Sequence, residues 1–75
     1  MKSLGAKIKK LRIEAKLTQP QLAEKVGVTK GVISFWENDV NEPKAGYIKI
    51  LAECFGVSAD YLLGIDNKAK TKRDK

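Results

Sequence analysis

Residues 19–38, QPQLAEKVGVTKGVISFWEN, read as two short helices separated by one tight turn. Small or apolar residues stand where the two helices must touch: Leu22, Ala23 and Val26 before the turn, Val28, Ile33 and Trp36 after it. Gly27 falls where the first helix must stop, a place that often requires the left-handed conformation. Thr18 and Thr29 each precede a helical run, where a hydroxyl accepts a bond from an otherwise orphaned backbone N–H. Thr18 with Gln21 also fits the S/T-x-x-E/Q capping box. Pro20 lies in the first turn, where its missing N–H costs little.

The rest of the chain follows the same grammar. A first helix is expected over residues 3–15, with Leu4, Ile8, Leu11 and Ala15 at helical spacing. Residues 38–44, NDVNEPK, form a polar turn, and Pro43 marks the approach to a fourth helix over about residues 45–55. That helix carries Ile48, Leu51, Ala52 and Phe55 on one face and ends at Gly56. Ser58 then caps a short last helix with Asp60 in its first turn, closed by Gly64. The fold class is therefore all-α: five short helices in one bundle, with no strand and no internal repeat.

Composition narrows the function. Seventy-five residues make one small domain, with 43% hydrophobic and 32% charged residues, as in an ordinary globular chain. The division expected is a domain over residues 1–66 and a basic, disordered tail over residues 67–75. The net charge of +6 is mainly a property of that tail: residues 68–75 hold five basic groups and one acid, leaving ten basic and eight acidic residues elsewhere. The start, Met1-Lys2-Ser3-Leu4, lacks a secretory h-region, and no run reaches membrane-spanning length, so the expected location is the cytoplasm. Without histidine and with Cys54 alone, a Cys/His zinc site and an internal disulfide are excluded. Neither a cofactor nor a small-molecule ligand is expected, and no nucleophile–base pair or Walker-type loop points to an enzyme. For Cys54 a structural place is preferred to a redox role.

These residues resemble the phage-repressor and Cro-like (XRE-type) helix-turn-helix domains, over residues 4–64. The resemblance is carried by Leu11-Arg12, Leu17-Thr18-Gln19, Leu22-Ala23-Glu24-Lys25, Gly27-Val28-Thr29, Ile33-Ser34, Trp36-Glu37-Asn38, Pro43, Leu51-Ala52 and Phe55-Gly56-Val57-Ser58. It implies a transcriptional regulator, usually a homodimer, that binds double-stranded operator DNA at a roughly palindromic site. It also implies an ion pair between Arg12 and Glu37, base reading by positions 30, 31 and 35, and phosphate contacts from Gln19 and Asn38.

The physical reading of the same helix is independent of the family. A helix beginning at Lys30 fits the major groove, and its outward positions are Lys30, Gly31, Ser34 and Phe35, because Ile33 and Trp36 face the core. Lys30 can donate to guanine O6 and N7, Gly31 forgoes a side-chain readout, and Phe35 either meets a thymine methyl or extends the core around Trp36. Thr29 and Ser34 are phosphate or base contacts, or else a cap and a tolerated surface hydroxyl. Lys44 and Lys7 are weaker phosphate candidates, equally readable as solvated charges.

One departure from the family stands in the loop after the third helix, where Asp39 occupies a position typical of glycine and Glu42 adds a second carboxylate. Carboxylates repel phosphates, so this loop is expected to face away from DNA. Val40, Tyr61 and Ile65 are offered as a dimer contact. Two other functions remain open: a DNA-binding antitoxin or interaction module acting with a partner protein, and a non-specific nucleic-acid binder using residues 68–75.

Overall fold

Local capping chemistry sets the helix boundaries in the computed structural model, which describes residues 3–65. Ser3 caps α1 (Leu4–Glu14) by accepting from the Ala6 N–H at 3.0 Å. Thr18 and Gln21 form the reciprocal capping box at the start of α2 (Gln19–Val26). Thr29 accepts from the Val32 N–H at 3.3 Å to open α3 (Lys30–Glu37). Ser58 does the same for α5 (Ala59–Leu63) through the Tyr61 N–H, after α4 (Ala45–Phe55). No strand occurs among the described residues.

The helices end by left-handed residues. Gly27 stops α2 at φ 90°, a conformation that costs glycine nothing and other residues about 1–2 kcal/mol. Two non-glycine residues adopt it as well, Lys16 after α1 and Asp39 after α3. Each permits a Schellman closure, in which the Leu17 N–H returns to the Arg12 carbonyl and the Val40 N–H to the Phe35 carbonyl.

Ile8, Leu22, Ile33, Leu51 and Leu62 are the largest fully buried side chains, one from each helix. The α3 helix packs between α1 and α2, α2 also meets α4, and α5 closes the bundle against α1 and α4. Trp36 stacks at a tilt on Tyr47 of α4, with ring centroids 5.5 Å apart, which fixes the recognition-like helix to the fourth helix.

Two expectations need correction. Ser3 is the cap of α1 rather than its first residue, and Ala15 is an exposed C-cap rather than part of the apolar face. The helix ends there because the next residue, Lys16, takes a left-handed φ of 62°. The tail at residues 67–75 lies outside the described residues, as do residues 1, 2 and 66.

Candidate nucleic-acid interface

The outward face of α3 holds the four residues expected there. Lys30, Gly31 and Phe35 are exposed, Ser34 is half-buried, and Ile33 and Trp36 are buried beneath them. Phe35 is 49% exposed, so about half of its ring stands open on this face beside the buried Trp36. Thr29 is committed to capping, so its hydroxyl supports the helix start.

Beneath this face lies a buried carboxylate. The Glu37 side chain is 2% exposed and receives Arg12 Nε at 2.6 Å and Arg12 Nη2 at 3.2 Å. The remaining guanidinium nitrogen, Nη1, donates to the Leu17 carbonyl at 2.9 Å. Gln19 Nε2 donates to Glu37 Oε1 at 3.0 Å. One carboxylate thus ties α1, the entry to α2 and the end of α3 into a single unit. Its oxygens are matched by a fork of donors, the arrangement that makes a buried pair tolerable. Among the described residues no buried side-chain polar atom lacks a partner.

The expected phosphate contacts divide into two groups. Gln19 stands at the first position of α2 with its amide fixed by Glu37, and Asn38 turns its amide nitrogen back to the Ser34 carbonyl at 2.9 Å. Lys44 is exposed at the N-cap of α4, where no side chain caps the first-turn N–H groups and no acid stands among them. A groove lined by Val32, Trp36, Asn41, Glu42, Pro43, Lys44 and Tyr47 joins that helix start to α3, so the Glu42 carboxylate shares it with Lys44. Lys7 belongs elsewhere: its ammonium lies 4.6 Å from the Tyr61 ring centroid and donates to the Tyr61 carbonyl at 3.1 Å. It therefore serves the last turn of α5, a geometry that favours the internal role over a phosphate contact.

Asp39 explains the departure noted in the loop. Its φ of 60° accounts for the position where glycine is usual, and its carboxylate accepts from the Gly5 N–H near the start of α1. That role was not read from sequence, nor was the role of Gly5, which lies against the C-terminal carbonyls of α3. The available signal was a glycine inside a helical run, which is usually kept for a close approach. Cys54 is half-buried beside the core, and burial pushes its thiol above the ordinary range. No group of three or more potential metal ligands occurs among the described residues.

Five helices, with the second and third meeting across Gly27 and the third presenting an open face, define a helix-turn-helix domain. Residues 8–62 match the Helix-turn-helix family, and the chain belongs to its XRE-type members. It is 37% identical over 68 residues to the HTH-type transcriptional regulator ImmR of Bacillus subtilis (strain 168), covering 91% of this chain and 54% of ImmR. It is 30% identical over 71 residues to the immunity repressor protein of Bacillus phage phi105, covering 95% of this chain and 49% of the repressor. The chain thus spans about half the length of these two relatives. The P22 c2 repressor, solved in complex with a synthetic operator, superposes with a TM-score of 0.82 at 33% identity, over 88% of this chain and all of that one. These relatives are regulators by name, and the family is not one of enzymes.

Proposed function

We propose that this chain is the sequence-specific DNA-binding part of a transcriptional regulator, acting as a repressor, with α3 in the major groove. The observation that carries the reading is the open α3 face mounted on the Arg12–Glu37–Gln19 unit. Base-reading side chains must be held within a fraction of an ångström, and a buried, bidentate ion pair supplies that rigidity. The similarity to the operator-bound P22 c2 repressor supports the same docking.

In this reading Lys30 donates to a guanine edge, and Gly31, Ser34 and Phe35 face the neighbouring base pairs. Gln19, Asn38 and Lys44 meet phosphates, with Thr29 shaping the α3 N-terminus whose N–H groups favour anions. The protein works as a homodimer on DNA, in the cytoplasm. Two α3 helices about 34 Å apart then require a roughly palindromic site.

Selection from random duplex DNA at fixed salt, with wild type and Lys30→Ala in parallel, tests this. A palindromic consensus relaxed at one position by the substitution is expected. Binding without consensus that fades with salt would refute it and direct attention to the basic tail or to a protein partner.

A further inference from the structure

Among the described residues, α2, α4 and α5 are closed by the left-handed glycines Gly27, Gly56 and Gly64. The other two helices are closed by Lys16 and Asp39, where a side chain makes the same backbone costly. Asp39 has its reason, since its carboxylate accepts from the Gly5 N–H. Lys16 has no such partner: it is exposed and enters no ion pair among the described residues. Glycine would close α1 there without strain. The lysine charge adds little to that helix end, because Arg12 already stands in the last turn and an exposed charge is screened. A strained position that the fold does not require points to function.

The turn that carries Lys16 is fixed against the outward-facing third helix. Arg12 Nη1 donates to the Leu17 carbonyl at 2.9 Å, and the Leu17 N–H returns to the Arg12 carbonyl at 3.1 Å. The same guanidinium grips Glu37, the last residue of α3, and Gln19 donates to that carboxylate as well. Lys16 therefore sits in a rigid turn between Arg12 and Gln19, beside the end of α3. Its ammonium is a compact charge on a flexible stem, suited to a phosphate and blind to base sequence.

We infer that Lys16 is a DNA-backbone contact, which neutralises one phosphate per half-site on the Gln19 side of the domain. This rests on the DNA-binding function proposed above and adds a contact that its residues do not supply.

The test measures dissociation constants for the selected duplex from about 50 to 200 mM salt. Wild type, Lys16→Gly, Lys16→Arg and Lys10→Ala are compared, alongside thermal melting. Lys16→Gly is expected to flatten the slope of log affinity against log salt by about 0.9 per protomer bound. The advantage of wild type should then shrink about 3.5-fold per protomer across that range. Sequence preference should not change, and the variant should melt no lower than wild type, because glycine relieves the left-handed strain. Lys16→Arg keeps the charge and should keep the slope. Lys10 is an exposed α1 lysine two residues before Arg12, so it points away from that side, and Lys10→Ala should leave the slope unchanged. A wild-type slope for Lys16→Gly, or equal flattening by Lys10→Ala, overturns the inference and leaves the DNA-binding function standing. A wild type that selects no consensus overturns both.

Discussion

The Asp39 carboxylate accepts a hydrogen bond from the Gly5 N–H at 3.2 Å, joining the end of α3 to the beginning of α1 across 34 residues of chain. The contact is possible because Gly5 has no side chain: a Cβ would sit 2.9 Å from the Glu37 carbonyl oxygen and closer still to that of Trp36. Gly5→Ala is therefore expected to destabilise the domain by about 2–3 kcal/mol, since backbone must shift to admit the methyl. For a chain of this size that is a fall of about 10–20 °C in melting temperature. An unchanged melting curve would show that α1 is not seated on α3 in this way.

Asp39 combines two properties that substitution separates. It tolerates φ of 60°, and it caps a helix N-terminus with an anion. Asp39→Asn retains the left-handed tolerance and an acceptor oxygen, so its stability should lie within about 0.5 kcal/mol of wild type. Asp39→Ala loses both and should cost about 1–2 kcal/mol. Equal melting temperatures for the asparagine and alanine variants would dismiss the cap.

The Arg12–Glu37 pair carries a larger expectation. Arg12→Ala strands a carboxylate that is 2% exposed and releases the Leu17 carbonyl and Gln19 amide from their arrangement. The expected loss is about 3–5 kcal/mol, most of the folding free energy of so small a domain. Arg12→Met with Glu37→Leu, which removes both charges, should recover much of it, because the desolvation penalty disappears with the pair. A double variant no better than Arg12→Ala, judged by urea denaturation, would locate the loss in packing instead of charge.

How much of this was legible depended on sequence distance. The caps at Thr18, Thr29 and Ser58 and the stop at Gly27 are contacts within three or four residues, and propensity rules describe such contacts. The alternation of Ile33 and Trp36 against Lys30 and Phe35 follows equally from helical periodicity. Asp39 with Gly5, Lys7 with Tyr61 and Gln19 with Glu37 are different. Each joins residues that only the packed bundle brings together, and each donor or acceptor looks like an ordinary surface residue in isolation. Arg12 with Glu37 was readable because a family resemblance stood in for the missing geometry.

Burial of Cys54 favours the uncharged thiol, with Lys25 opposing and Glu53 adding to the shift. A raised thiol pKa means that the folded state prefers the protonated form. Its contribution to stability is complete below the unfolded-state pKa and fades as pH rises through the folded value. Alkylation by iodoacetamide at neutral pH should therefore run slower in the folded protein than after unfolding in urea, and the difference should narrow in alkaline buffer. Equal rates at neutral pH would mean an open, unperturbed thiol.

Lys7 and Lys44 carry the same charge and should answer differently to one experiment. Lys44 stands at the open start of α4 beside the groove leading to α3, while the Lys7 ammonium is already held by the Tyr61 carbonyl and ring. Each phosphate neutralised by a protein cation contributes about 0.9 to the slope of log affinity against log salt. Lys44→Ala should thus flatten that slope by about 1, weaken binding across sequences nearly uniformly, and leave the melting temperature close to wild type. Lys7→Ala should leave the slope unchanged and instead lower stability by about 1 kcal/mol, through loss of the carbonyl bond and the cation–π contact. The reverse pattern would move the DNA-facing surface from the α3–α4 side of the bundle to the α1–α5 side. It would also force a different docking of α3, because the internal bond of Lys7 would have to break before a phosphate could be reached.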